Sequence, residues 1–198
     1  MILVVTAEQA VPRELQVIND ILDAGLELLH IRKYSFSDDE MSQFINGIAT
    51  RYRNRLVMHS HHHLAESLNI ERLHFNEHDR KLGIQNQFSQ QIIRSTSVHS
   101  IHDFNSLDHR WSYALLSPMF LSISKLNHGS KHTVKKELIY RDNQQVHLIG
   151  LAGIHAENII SLYQDGVDGV ALLGAIWKSE QPLISFNECL QIDLSYSS

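Results

Sequence analysis

Eight short apolar runs, each followed by a polar or helix-spaced stretch, recur along these 198 residues, and that alternation constrains the fold more than any other feature. The runs are Ile2–Val5, Glu27–Ile31, Arg55–Met58, Arg72–Phe75, Thr96–Val98, Ser112–Leu116, Val146–Gly150 and Gly169–Leu172. Short apolar runs between helices read as strands buried on both faces, which is the pattern of a parallel sheet with helices outside. Helical spacing is clearest at Arg13–Ala24, where Leu15, Ile18, Ile21 and Leu22 share a face and Gly25 stops the helix. Ser37, Asp38, Asp39 and Glu40 form a cap and acidic first turn for a helix running through Thr50. Further helices are expected at His62–Leu68, Ile101–Leu107, His155–Gln164 and Ala175–Lys178, with a last amphipathic segment at Ile184–Leu190. The polar, Gln-rich stretch Leu82–Arg94 reads as loop then helix, and Ser117 to Lys131 is the longest irregular stretch.

Eight such units predict an α/β fold, a single-domain (β/α)8 barrel spanning 1–198. An open doubly wound sheet usually carries a glycine-rich turn after its first strand, and Thr6-Ala7-Glu8 stands there instead. The net charge of −5 gives no broad basic surface, so nucleic acid is not an expected partner. No apolar run approaches the ~18 residues of a membrane span. Met1–Thr6 has no basic lead and reads as a strand rather than a signal peptide. The lone Cys189 excludes an internal disulfide and suits a cytoplasmic location. Homo-oligomerisation is left open.

Active sites of (β/α)8 barrels are built from the loops that follow the strands. Those loops here hold His30, Arg32 and Lys33; His59 to His63; Asn76 to Arg80; Ser97 and His99; Ser117 to Lys125; Ala152-Gly153; and Gly174-Ala175. The two late glycine turns precede helices, where small residues let a phosphate reach first-turn N–H groups. They could equally serve tight turns. Ser122, Ser124 and Lys125 offer a second anion grip or a solvated loop. Arg32 could bind a phosphate bidentately or close a salt bridge across the barrel mouth. Fourteen histidines are the compositional outlier, and His59, His61 and His63, with Asp79, have atoms suited to a metal.

These residues together resemble the thiamine phosphate synthase superfamily, which includes the thiazole tautomerases of TenI type. The family pattern G-P-[VI]-F-x-T-x-T-K is similar to Ser117-Pro118-Met119-Phe120-Leu121-Ser122-Ile123-Ser124-Lys125. G-x-S-x-H corresponds to Ser95–His99, the late G-G-I loop to Ala152-Gly153-Ile154, and Q-x-R to His30-Ile31-Arg32. The run A-G-A-D-G corresponds to Asp165–Gly169, ending in Gly174-Ala175-Ile176. The resemblance implies a magnesium-assisted transferase of thiamine biosynthesis. It would join a pyrimidine-methyl diphosphate to a thiazole phosphate and release pyrophosphate. Arg32, Ser97, His99 and Lys125 would then be catalytic. His30, His59, Ser122, Ser124, Ala152, Gly153, Gly174 and Ala175 would bind substrate, and Asp79 would ligate magnesium. The chain departs from the family at Ser60, where a second metal-binding Asp is expected. It departs again at Tyr34, where a lysine is expected, and at Pro118, where the tautomerases carry their acid–base histidine. The alternatives are a thiazole phosphate tautomerase, with His30, His59 or His99 as acid–base, and a non-catalytic binder of thiamine-type phosphates.

Overall fold

The computed structural model describes residues 1–121 and 133–196. Eight parallel strands pair in chain order and close on themselves: β1 (Ile2–Val5), β2 (Leu28–Ile31), β3 (Leu56–Met58), β4 (Arg72–Phe75), β5 (Ile93–Val98), β6 (Tyr113–Leu116), β7 (His147–Leu151) and β8 (Gly169–Leu172). The closing pair sets Leu3 opposite Ala171. Helices α1 (Glu14–Asp23), α2 (Asp38–Asn46), α3 (Glu77–Leu82), α4 (Ile101–Asn105), α5 (Ala156–Gln164), α6 (Gly174–Trp177) and α7 (Pro182–Tyr196) lie outside the barrel. The fold is the (β/α)8 barrel that the alternation predicts.

Strand side chains alternate between two environments. Ile2, Val4, Leu29, Ile31, Leu73 and Phe75 point outward into the large core beneath the helices. Leu3, Val5, Leu28, Val57, Tyr113, Leu115, Ile149 and Ala171 point inward and fill the barrel. The inward register continues as His30 on β2, paired with Val5 and Val57, and as His74 and Ser95, which face one another across β4 and β5. One side of the interior is therefore apolar and the other polar.

Several elements differ from the sequence expectation, among them a helix at Glu77–Leu82 that was not expected and an α2 that ends at Asn46 rather than running through Thr50. β5 begins at Ile93, inside the stretch read as loop and helix, because its inward positions are the small polar Ser95 and Ser97 rather than apolar residues. Outward-facing Arg94 turns its guanidinium onto the Phe88 and Ser89 carbonyls. The helix expected at His62–Leu68 is only a short 3-10 turn, His62–Leu64, entered through His61 at φ 56°. The last helix is longer than Ile184–Leu190 and packs on α5, α6 and α1, with Phe186 and Cys189 buried. α2 matches its expected start: Ser37 and Glu40 make a reciprocal capping box.

Lys33 is a correction to the rim described from sequence. It follows β2 directly, yet its side chain is fully buried beneath the rim, 2.8 Å from Glu14 Oε2 at the start of α1. Its ammonium also lies over the Phe36 and Phe44 rings. The next carbon-rich layer captures it because Glu14 supplies a counter-charge there.

Candidate active site

Among the described residues, Arg32, Ser97 and His99 lie at or just past strand C-termini, held mostly by neighbouring side chains. Arg32 leaves β2 with its N–H on Thr6 Oγ1, and its Nε lies 3.3 Å from Glu8 Oε2. That contact is an ion pair between the adjacent loops after β1 and β2 rather than one spanning the mouth, and Nε is not aligned with the carboxylate as a hydrogen bond. Tyr34, where the family pattern has lysine, is exposed; its N–H donates to Glu8 Oε1, Asn76 and Asp79 lie close enough to influence its phenol, and its ring stands 6.4 Å from His59. Asn76 caps α3 by accepting the Asp79 N–H. Tyr34, Asn76 and Glu8 thus join Arg32 and Asp79 in one patch.

Ser97 ends β5 with its hydroxyl 2.8 Å from His74 Nε2. Exposed His99 places Nδ1 3.1 Å from the Ser117 carbonyl, at the end of β6. The Ser117–Pro118 peptide bond is cis, and the chain beyond it lies along β7: Met119 N–H bonds Leu151 O, and Phe120 N–H bonds Ala152 O. Ser122, Ser124 and Lys125 lie outside the described residues.

Ala152 and Gly153 both have left-handed backbone, φ 83° and 68°. A non-glycine residue held there stores strain, and such strain gathers at ligand sites. A Cβ at Gly153 would lie 2.7 Å from Phe120 Cβ and 3.2 Å from Leu121 O. This glycine therefore serves close packing of the β6 loop, a role that sequence reading did not assign. Asn158 from α5 accepts the His155 N–H and donates to Gly153 O, so the turn is pinned from both sides. Pairing of Leu151 with Ala171 sets this turn beside Leu173-Gly174-Ala175, where α6 begins. A Cβ at Gly174 would meet nothing within 4 Å, which leaves open space at that turn.

Beneath the mouth lies a buried polar cluster that sequence reading only half located. His30, His59 and His74 come from β2, the end of β3 and β4, with exposures of 0%, 4% and 1%. His30 Nδ1 is 2.8 Å from His59 Nε2, and His30 Nε2 is 2.8 Å from the Tyr113 hydroxyl. The His59 and His74 rings stack at 4.0 Å. His74 Nδ1 meets Ser95 Oγ at 2.9 Å, and Ser95 lies opposite Tyr113 in the β5–β6 register. Burial disfavours the imidazolium form throughout. It pulls His30 down to about 3, helped by Arg72, and holds His59 and His74 well below the usual histidine range. Burial also raises the Tyr113 phenol above its ordinary value. His30 and His59 thus sit under the rim with their rings turned inward, rather than on it. His74 and Tyr113 were missed, and the available signal was a polar-capable residue alternating with apolar ones, as in Leu73-His74-Phe75 and Tyr113-Ala114-Leu115.

The sequence-based cluster His59, His61 and His63 does not assemble. His61 enters the turn after β3 with left-handed backbone, binds Phe36 O through Nε2 and meets Ser60 Oγ through Nδ1. His63 is exposed and pairs with Asp38. Consecutive residues of a tight turn point in different directions, so H-x-H spacing there does not converge.

Magnesium prefers oxygen ligands, usually one or two carboxylates with substrate phosphates. Asp79 is a single carboxylate, and Ser60 stands where a second is expected, its hydroxyl turned to His61 and to the Lys33 carbonyl. Among the described residues, the ligating groups that converge are the three buried imidazoles, not carboxylates. The described residues do not form a resident magnesium site.

A closed parallel barrel with strained, small-residue turns and polar side chains gathered at the strand C-termini defines a small-molecule barrel enzyme. The chain belongs to the thiamine monophosphate synthase family, whose sequence profile matches residues 2–176. It is 24% identical to a thiamine-phosphate synthase of Lysinibacillus sphaericus over 177 residues, 84% of this chain and 82% of that protein. It is also 24% identical to one of Prochlorococcus marinus over 173 residues, 85% of this chain, and so spans only 49% of that relative. The fold is similar to a thiamine phosphate pyrophosphorylase of Pyrococcus furiosus, with TM-score 0.82, 15% identity, and 100% and 96% of the two chains covered. It is likewise similar to one of Bacteroides thetaiotaomicron, with TM-score 0.76, 21% identity, and 97% and 96% coverage. Among the described residues no helix is long and apolar enough to cross a membrane.

Proposed function

We propose that this protein couples hydroxymethylpyrimidine diphosphate to thiazole phosphate, forming thiamine phosphate and releasing pyrophosphate. The observation that carries the reading is the strained Ala152-Gly153 turn at the end of β7, set beside Gly174 in a chain of this family. Strain held at that place fits a turn shaped to present backbone N–H groups to the thiazole phosphate. The diphosphate would lie across the mouth, toward Arg32.

Arg32 suits that role because its present partner holds it loosely. The Glu8 pair is partly exposed, and such pairs are worth about 0–1 kcal/mol. An incoming phosphate carries more charge and can take the guanidinium fork bidentately. In this reading Ser97 and His99 would lie between the two anion positions and orient the leaving group. Lys125, Ser122 and Ser124 would complete the diphosphate grip. In the reaction the pyrimidine-methyl carbon loses its bond to diphosphate oxygen and gains one to the thiazole nitrogen. No proton need move at the reacting atoms, so positioning and charge stabilisation supply the rate.

The test is incubation of the purified protein with both substrates, with and without magnesium, and chromatographic detection of thiamine phosphate. Product that disappears in Arg32→Ala supports the proposal. Isomerisation of thiazole phosphate without coupling would replace it with the tautomerase reading, and binding without either reaction with the non-catalytic one.

A further inference from the structure

We propose that His30, His59 and His74 form a binding site for one borderline divalent transition metal, of which Zn2+ and Co2+ are the type, inside the barrel beneath the mouth. The inference is independent of the reaction proposed above. It rests on three adjacent strands delivering three imidazoles to one point. β2, β3 and β4 pair side by side, and the Met58–Leu73 register sets His59 level with His74. One ring nitrogen from each of the three residues lies within 4.8 Å of the others.

Several features distinguish this cluster from a chance cluster of buried polar groups. Barrel interiors are ordinarily packed with branched apolar residues, and the opposite side of this one is. Placing three imidazoles here is costly unless they act together. Two of the three rings have the outer partner a ligated histidine needs, since the nitrogen turned away from a metal is normally tied to an oxygen that fixes the tautomer. His30 Nε2 is held by the Tyr113 hydroxyl, which leaves Nδ1 facing His59 Nε2. His74 has a serine on each nitrogen, Ser95 on Nδ1 and Ser97 on Nε2. Either serine can keep the ring oriented while the other nitrogen turns to the metal.

The dimensions agree for His30 and His59, while His74, stacked on His59 at 4.0 Å, must rotate and release one of its two serines to bring a nitrogen to the ion. Zinc–imidazole bonds of ~2.0–2.1 Å in tetrahedral geometry separate ligand nitrogens by about 3.3 Å. The His30–His59 contact of 2.8 Å must therefore open by only about half an ångström. Three nitrogens suit imidazole-preferring metals and exclude magnesium and calcium, which require oxygen. Three protein ligands also leave a fourth position, the arrangement of sites that exchange a ligand rather than of closed structural ones. The charges that act directly on the rings are cationic, Arg72 on His30 and Arg32, itself paired with Glu8, on His59. A divalent ion there therefore favours an anionic fourth ligand, such as a phosphate oxygen entering from the mouth.

The test is titration of EDTA-treated, tag-free protein with Co2+, read in the visible spectrum. The expected result is one equivalent bound with the intense bands of four-coordinate cobalt, bleached on adding Zn2+. His59→Asn should weaken binding at least a hundredfold, and Tyr113→Phe about 10- to 100-fold as an outer-partner loss. The double variant His63→Gln/His102→Gln removes two exposed histidines and should leave the bands unchanged. Weak octahedral bands in the wild-type protein, or bands lost in the surface double variant, would overturn the site. X-ray absorption of the wild-type zinc complex decides the matter should His59→Asn not fold. Three imidazole nitrogens with one further ligand sustain the proposal, and an oxygen-rich six-coordinate shell refutes it.

Discussion

Removing the carboxylate of Glu14 should cost far more than removing the whole polar pair it belongs to. Lys33 is fully enclosed, its ammonium 2.8 Å from Glu14 Oε2, with the Gln9 carbonyl at 3.3 Å and two phenyl rings as its remaining surroundings. Glu14→Gln keeps the shape but leaves a buried cation without its counter-charge, which costs about 3–5 kcal/mol. With a urea m-value of about 2 kcal/mol/M, the midpoint should fall by roughly 1.5–2.5 M. Lys33→Met leaves Glu14, whose Oε1 already lacks a partner and whose carboxyl is held above its usual range by burial, ahead of the lowering effect of Lys33. That group can take up a proton, so its cost should be smaller, about 1–3 kcal/mol. The sign follows from the raised carboxyl: its folded form holds the proton more tightly than the unfolded chain. The Lys33→Met penalty should therefore shrink near pH 5 and grow toward pH 8. Replacing both, as Glu14→Leu/Lys33→Met, should come within about 1 kcal/mol of wild type, because isosteric apolar pairs usually match a buried ion pair. Urea unfolding followed by circular dichroism, with Glu14→Leu alone included, gives all four corners of the cycle. A Glu14→Gln loss below 1 kcal/mol, or single losses that simply add in the double variant, would refute this account of the pair.

Three further outcomes follow from the structure. The metal-free protein should lose stability as pH falls from 7.5 to 5.5. His30, His59 and His74 stay neutral when folded but protonate near 6.5 when unfolded, so the unfolded chain takes up more protons, at about 1.4 kcal/mol per histidine and roughly 4 kcal/mol together. Urea midpoints in chelator should show this, and His74→Asn should remove about a third of the slope; a flat profile contradicts neutral burial. Gly153→Ala should destabilise by about 2–4 kcal/mol, since its Cβ meets Phe120 and its φ of 68° disfavours a side chain, while Gly174→Ala should cost under about 1 kcal/mol. Equal melting temperatures for the two variants would remove the packing argument. Cys189, 1% exposed and with its thiol pushed up to about 11 by burial, should react with a disulfide reagent at pH 8 only as the protein unfolds; fast labelling of the folded protein would place it at the surface instead.

Much of the barrel could be read from residues alone because the relevant signals are local. Val4 and Leu29 announce strands buried on both faces, and Ser37 with Glu40 announces a helix start. Both rest on interactions within a few positions of chain. The start of β5 was hidden because Ser95 and Ser97 face a polar interior. Strand recognition assumes that inward means apolar. Arg32 was legible as a cation at a strand end, but its choice between phosphate and Glu8 was not.

The chain's own pattern determined the number, order and direction of the strands, since alternation, strand length and short connections admit few closures other than a parallel barrel. It also determined that polar side chains follow the strands. What only tertiary structure decided is which of those side chains meet. His30, His59 and His74 are separated by 29 and 15 residues, and His59 looks from sequence like one of a surface run with His61 and His63. Barrel closure stacks it on His74 instead and turns its neighbours away. Lys33 and Glu14 likewise find each other only once α1 packs beside β2. Such pairings depend on register and tilt between distant strands, which no local spacing records.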